Sequence, residues 1–108
     1  MFVHIIAEHA SKLSELKALL GTPYQVSGAL LGADSGIPGE CDGIVIAADL
    51  RSANNIAMLR GMSEAFKGAH RRVFVVDQKA RLCAAQAYAL NATHVLFNPV
   101  YQRALIQL

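Results

Sequence analysis

Apolar residues occur in this chain as short continuous runs that alternate with segments of helical periodicity. Short runs of apolar and β-branched residues predict buried strands, whereas apolar positions three and four residues apart predict amphipathic helices. The strands are predicted over residues 2–7, 24–31, 43–48, 72–76 and 94–97, and the helices over 11–21, 52–68, 79–91 and 101–108. A Gly-, Asp- and Pro-rich segment, 32–43, is predicted to be a loop with room for at most one helical turn.

The alternation of strands and helices predicts a parallel sheet with helices on both faces, joined by right-handed crossovers. Ser52 or Asn54 is the expected N-cap of the second helix, and Asn91 the expected left-handed residue that ends the third. In sheets of this kind the working site lies at the carboxyl ends of the strands. The residues that follow each strand are therefore the candidates for a site: Ala7, Glu8, His9, Ala48, Asp49, Asp77, Gln78, Asn98 and Pro99.

The composition adds limits to this picture. The chain has 108 residues, 54% hydrophobic and 17% charged, which indicates one folded domain. A net charge of +2 gives no indication of a nucleic-acid surface. Cys41 and Cys83 lack metal-type spacing and are expected to be reduced thiols of a cytoplasmic protein. The apolar run 2–7 is too short to span a membrane. The helical pattern 101–108 stops after about two turns, so we expect a domain at the front of a longer protein.

Three segments together resemble the receiver domain of two-component response regulators. They are CDGIVIAADLRSANNIAMLRGM (41–62), RRVFVVDQ (71–78) and ALNATHVLFNPV (89–100). The third is the most specific, because it combines a helix end, a strand and an Xaa-Pro pair at the strand tip. The resemblance covers nearly the whole chain. It implies an α/β, flavodoxin-like or CheY-like fold, with a doubly wound five-stranded parallel sheet in the order 2-1-3-4-5 and a second helix that is shortened or missing.

The resemblance also implies which positions carry aspartyl-phosphate chemistry in that family, and most of them differ here. Phosphoryl transfer to a carboxylate needs a metal ion and an ammonium group to neutralise the developing charge. The family's acidic pair corresponds to Ala7-Glu8, its phosphoacceptor to Ala47 in an alignment without gaps, its Ser/Thr to Asp77, its Lys-Pro to Asn98-Pro99 and its signalling aromatic to Val95. The resemblance with these departures predicts a non-catalytic pseudo-receiver, a signalling and protein-interaction module and not an enzyme.

Two alternative hypotheses remain open. Asp49 lies two residues beyond Ala47, and a true phosphoacceptor could use it with Glu8 and Asp77 sharing Mg²⁺, so these three acids are weak metal candidates. The other alternative is a small-ligand-binding flavodoxin-like domain with a pocket lined by Ala7, Ala47, Asp77 and Asn98. No cofactor is expected apart from Mg²⁺ in the phosphoacceptor case. The four histidines are scattered, and the glycines of 32–40 lack the spacing of a phosphate-binding loop.

The segment 79–91 predicts a surface for a protein partner. It is apolar on nearly all sides, more than is needed to cover one face of a sheet. The resemblance implies that pairing uses the face made by this helix, the last strand and the last helix. The candidate contacts of a homodimer are Leu82, Ala85, Tyr88, Ala89, Tyr101 and Leu105. A protein effector C-terminal to Leu108 is the other expected partner, and neither nucleic acid nor a membrane is expected.

Overall fold

The computed structural model of the chain describes residues 2–20, 24–31, 41–77 and 84–97. The strands are β1 (Phe2–Ala7), β2 (Gln25–Leu30), β3 (Gly43–Ala47), β4 (Arg71–Val76) and β5 (His94–Phe97), and the helices are α1 (Ala10–Leu20), α2 (Ala53–Phe66) and α3 (Ala84–Ala89). The five predicted strands and the first two helices are confirmed, with small differences at their ends. Most of the predicted loop, the first part of helix 79–91 and all of helix 101–108 lie outside the described residues.

The five strands form one parallel sheet in the order β2-β1-β3-β4-β5, which confirms the predicted architecture. The central strands β1 and β3 are buried over almost their whole length, as expected for strands covered on both faces. The edge strands β2 and β5 are partly exposed. The register pairs Ala47 with both Ala7 and Val75, so β1, β3 and β4 run level at their carboxyl ends. The predicted shortening of a second helix falls on 32–40 and is outside the described residues.

Because side chains alternate along a strand, the sheet supplies two separate apolar cores, one on each face. On one face, α2 contributes Leu59 and Phe66, and Phe66 meets Phe74 of β4 edge to face with ring centroids 6.4 Å apart. On the other face, α1 contributes Leu16 and Leu20. The first core also contains Ile6, Ile44, Ile46, Val76 and Ala87, and the second contains Ile5, Ala7, Val45, Ala47 and Val75.

Gly28 allows α1 to lie close against the edge strand β2. A Cβ atom at this position would lie 2.5 Å from Leu13 Cδ1, 3.0 Å from Lys17 Cε and 3.3 Å from the Ile5 carbonyl oxygen. The absence of a side chain at Gly28 therefore lets Leu13 and Lys17 cross the strand at short range.

The ends of two helices follow the predicted local chemistry. Ser52 is the N-cap of α2, because its Oγ accepts a hydrogen bond from the Asn55 N–H at 3.3 Å. Asn91, just after α3, has a φ of 74°, the left-handed conformation predicted for it. Within the described ranges, no helix combines the length and apolarity that crossing a membrane would require.

The amino end of β4 is tied to two neighbouring turns by Arg72. Its guanidinium donates to the backbone carbonyls of Ala69 and Asn91, one preceding β4 and the other following α3. The Arg72 N–H donates to Thr93 Oγ1 at 2.8 Å, and the Thr93 N–H donates to the Arg72 carbonyl at 2.8 Å. Arg72 thus joins the turn before β4 to the turn after α3.

Candidate functional site: a cleft at the carboxyl ends of the strands

The carboxyl ends of β1, β3 and β4 border a cleft of about 330 Å³. Its lining consists of Glu8, His9, Ser11, Lys12, Ala47, Ala48, Asp49, Arg51, Val75 and Asp77. Several residues selected from the sequence thus meet in one place, and they come from three strand ends. Ala7 lies fully buried beside the cleft and is paired with Ala47. Asn98 and Pro99 lie outside the described residues.

Ala47 is the last residue of β3 and belongs to the lining of the cleft. Its side chain is buried in the core shared with α1, and its carbonyl accepts the Glu8 N–H at 2.9 Å. The strand that occupies the centre of the sheet therefore ends, at the cleft, in a side chain that has no nucleophilic or metal-binding atom.

Asp49 lies two residues beyond the end of β3, and Arg51 engages both of its carboxylate oxygens. Asp49 Oδ1 accepts from the Arg51 N–H at 2.9 Å and from Arg51 Nε at 3.0 Å, while Oδ2 accepts from Nη2 at 3.2 Å. These hydrogen bonds, chiefly those of the Arg51 side chain, hold the pKa of Asp49 below its ordinary value. The pair is solvent-facing, with side chains 37% exposed for Asp49 and 51% for Arg51.

Glu8 is bound to the same loop through its carboxylate. Its Oε2 accepts the Asp49 N–H at 3.0 Å, which joins the end of β1 to the connection between β3 and α2. The Asp49 carbonyl in turn accepts from the Ser52 N–H at 3.2 Å and from the buried Asn55 Nδ2 at 3.1 Å. The loop that carries Asp49 is therefore fixed by backbone and side-chain hydrogen bonds that do not involve its carboxylate.

Among the described residues, three acidic and two basic side chains line the cleft. Glu8, Asp49 and Asp77 line it together with Lys12 and Arg51, and Lys12 also forms an ion pair with Glu15 at 3.3 Å. Within the described part of the chain, no three His, Cys, Asp or Glu side chains come close enough together to hold a metal ion. The weak metal candidates Glu8, Asp49 and Asp77 thus share a cleft but, as arranged, do not form a ligand set for Mg²⁺.

The two basic residues were not selected from the sequence. Arg51 follows Asp49 in an Asp-Leu-Arg segment, a spacing that lets a guanidinium fold back onto the carboxylate in a turn. Lys12 is in the first turn of α1, directly after a strand end that was selected. These two positions do not directly follow a strand, but the turn and the start of the helix bring their side chains to the cleft.

The helix α3 exposes part of the predicted dimer surface. Ala85, Tyr88 and Ala89 are exposed, and Tyr88 is 54% exposed, whereas Ala87 packs in the core. Phe97, at the end of β5, is also exposed. The other predicted contacts, Leu82, Tyr101 and Leu105, lie outside the described residues.

No known family model matches the sequence, and no curated protein matches it either. Solved structures do match. A structure from Burkholderia thailandensis, described as a candidate pilus assembly protein (CpaE), is 20% identical with a TM-score of 0.79, covering 99% of this chain and 93% of that one. A response regulator receiver protein from Pseudoalteromonas atlantica is 13% identical with a TM-score of 0.74, covering 99% and 92%.

A third similar structure is the pilus assembly protein CpaE from Caulobacter crescentus. It is 12% identical with a TM-score of 0.67, covering 98% of this chain and 88% of that one. At these identities the likeness concerns the fold. Together with the strand order, it confirms that this chain has the CheY-like fold of response regulator receiver domains, as its sequence resemblance implied.

Proposed function

We propose that this chain is a non-catalytic receiver-like module, which binds other proteins in a bacterial signalling or regulatory system without being phosphorylated in the standard way. The observation that carries the proposal is Ala47, the last residue of β3 and part of the cleft lining, which the alignment without gaps assigns to the family's phosphoacceptor position. A methyl group accepts no phosphoryl group, so the usual switch has no reactive atom at that position.

The state of Asp49 supports the same proposal. Attack on a phosphodonor needs a free carboxylate oxygen and a nearby cation that neutralises charge as the bond forms. Both oxygens of Asp49 accept hydrogen bonds from Arg51, and Glu8 is occupied with the Asp49 N–H. Glu8 and Asp49 therefore take part in hydrogen bonds that hold the loop.

Pilus assembly is the process that we propose for this module. Two of the structurally similar proteins are described as pilus assembly proteins, and one of them has the highest TM-score of those compared above. In this proposal the receiver-like fold is kept as a rigid body that presents a surface to a partner protein.

The central test is phosphorylation by a small-molecule phosphodonor with Mg²⁺, followed by intact-mass measurement. Wild-type protein and the Asp49→Asn variant are expected to show no stable gain of a phosphoryl group. A gain in the wild type that Asp49→Asn abolishes would contradict the proposal and support the phosphoacceptor hypothesis, which the position of Asp49 in the cleft favours. Thermal stabilisation by a flavin or nucleotide would instead support the ligand-binding hypothesis.

The partner surface that we propose is the exposed side of α3, used to form a homodimer. Its exposed positions are Ala85, Tyr88 and Ala89, and aromatic residues such as Tyr88 are enriched at contacts between proteins. Light scattering is expected to detect a dimer in the wild type and a monomer in Ala85→Glu. Gln25→Glu, which adds the same charge at the far edge of the sheet, is the matched control and should remain dimeric. A monomeric wild type at high concentration would refute this surface.

A further inference from the structure

One residue, Arg51, supplies the positive charge nearest to the Asp49 carboxylate. Its Nε and Nη2 atoms donate to the two different oxygens of Asp49, at 3.0 and 3.2 Å, in the parallel arrangement that a guanidinium forms with a carboxylate. Its own backbone N–H adds a third bond to Oδ1. The carboxylate is therefore surrounded by donors from a single residue of the same turn.

This arrangement bears on cations because carboxylate oxygens are also the ligands that Mg²⁺ and Mn²⁺ prefer. Glu8, Asp49 and Asp77 line one cleft together with Lys12 and Arg51, and Arg51 is the cation that engages both oxygens of Asp49. A divalent ion approaching Asp49 must displace the guanidinium, and it is also repelled by the positive charge that remains nearby.

We infer that Arg51 is an internal counter-cation that excludes divalent metal ions from the cleft by occupying the position beside Asp49. Arg51 is thus a selectivity-determining residue of the cleft. The inference rests on the proposed function in one respect, since a module that takes no Mg²⁺ has no metal-dependent phosphorylation.

We expect the fold to tolerate the loss of the Arg51 side chain, so its selectivity role can be tested separately. Its side chain is about half exposed, and the loop around Asp49 is fixed by bonds from Ser52, Asn55 and Glu8 to backbone atoms of Asp49. The Arg51 N–H bond to Asp49 also persists in any substitution except proline. A neutral side chain at position 51 should therefore release the carboxylate and leave the loop in place.

The test is a titration of the intact chain with Mn²⁺, without phosphodonor, followed by calorimetry and by paramagnetic broadening of backbone amide signals. Arg51→Gln is expected to bind Mn²⁺ about tenfold more tightly than the wild type, which is the scale of removing one nearby unit charge at a surface site. The broadened signals should be those of Glu8, Asp49 and Asp77. Arg71→Gln, which removes an exposed charge at the opposite end of β4, is the matched control and should bind like the wild type.

The double variant Asp49→Asn/Arg51→Gln should lose the gained affinity, because the released carboxylate is then absent. The inference is wrong if Arg51→Gln binds Mn²⁺ no better than the wild type, or if Arg71→Gln gains as much. That failure is distinct from failure of the proposed function, which would appear as phosphorylation of the wild type in the mass measurement.

Discussion

At the amino end of the sheet Arg72 donates to backbone carbonyls, whereas at the carboxyl end Arg51 donates to a carboxylate. The acceptors of Arg72 are the carbonyls of Ala69, in the turn before β4, and of Asn91, in the turn after α3. The acceptor of Arg51 is Asp49, and the pair is open to solvent. The two guanidinium groups thus have different surroundings. That of Arg72 is partly buried and bonded to uncharged acceptors, whereas that of Arg51 is exposed and bonded to a charged one.

From this difference we expect the amino end of the sheet to contribute more to stability and the carboxyl end to contribute more to binding. A carbonyl left without its donor is costly, and hydrogen bonds from a charged donor contribute about 1.5–3 kcal/mol. An exposed ion pair contributes only about 0–1 kcal/mol to stability. We therefore expect substitutions at the amino end to alter stability, and substitutions at the carboxyl end to alter binding.

The largest expected effect is that of Arg72→Met. This variant keeps much of the aliphatic stem but leaves the carbonyls of Ala69 and Asn91 without their donor, so the free energy of unfolding should fall by about 2–3 kcal/mol. Urea denaturation measures it. The matched control is Arg71→Met, because Arg71 is exposed at the adjacent position and should change stability by less than about 0.5 kcal/mol. Equal losses in the two variants would remove the special role given to Arg72.

A smaller loss is expected at the turn that Arg72 holds. Asn91 has a φ of 74°, a conformation that asparagine tolerates better than alanine does. Asn91→Ala should lower the free energy of unfolding by about 1 kcal/mol, and Asn91→Gly should cost less, because glycine adopts this φ without strain. The order of the two variants in urea denaturation is the critical result. If glycine costs more than alanine, the backbone conformation is not what makes Asn91 suitable here.

The fold could be predicted from the sequence because each strand has a recognisable local sequence pattern. The run GIVIA of β3 is continuously apolar, as a strand buried on both faces must be, and Asn91 marked the end of α3 through a known conformational preference. Alternation of strands and helices then leaves few topologies that obey the handedness rule. The strand order followed from these constraints together with the resemblance.

The cleft could be predicted only in part. Glu8, Asp49 and Asp77 were found because residues after parallel strands meet at one edge. The engagement of Asp49 by Arg51 was not found, since it depends on how a turn closes after the strand has ended. The hydrogen bonds of Arg72 were likewise not predicted, because one acceptor lies in the turn just before the strand and the other, Asn91, is 19 residues away in sequence. The periodicity of apolar residues along the sequence does not predict which side chains form hydrogen bonds across loops.

As the pH is lowered, protonation of His4 in the sheet should reduce the stability of the protein before protonation of Asp49 in the cleft does. His4 of β1 is buried, its Nδ1 meets Ser27 Oγ at 2.7 Å, and its Nε2 has no hydrogen-bond partner within the described part of the chain. Burial, with a smaller contribution from the positive charge of Lys17, lowers the pKa of His4 below its ordinary value of 6.5. The unfolded chain therefore takes up this proton first, and stability should decline as pH falls below about 6.5 towards the lowered pKa.

The measurement is the urea midpoint between about pH 8 and about pH 5, where histidine is the titrating side chain. One proton limits the slope to about 1.4 kcal/mol per pH unit. His4→Gln keeps a polar group that can reach Ser27 but does not titrate in this range, so its stability should vary less with pH. His9→Gln, at an exposed position, should keep the wild-type slope. A slope that His4→Gln leaves unchanged would show that another group takes up the proton.

The smallest expected effect on stability is that of Arg51→Gln, and it is the one that separates the two ends of the sheet. Loss of an exposed ion pair should lower the free energy of unfolding by less than about 0.5 kcal/mol near neutral pH. In the wild type, the lowered pKa of Asp49 adds stability at higher pH, and this added stability is lost as the pH falls through that pKa. The variant should lack this added stability. This acid difference should be small, because solvent screens the pair. If Arg51→Gln instead destabilises the protein as much as Arg72→Met does, then Arg51 supports the fold, and the role assigned to it in selectivity alone is wrong.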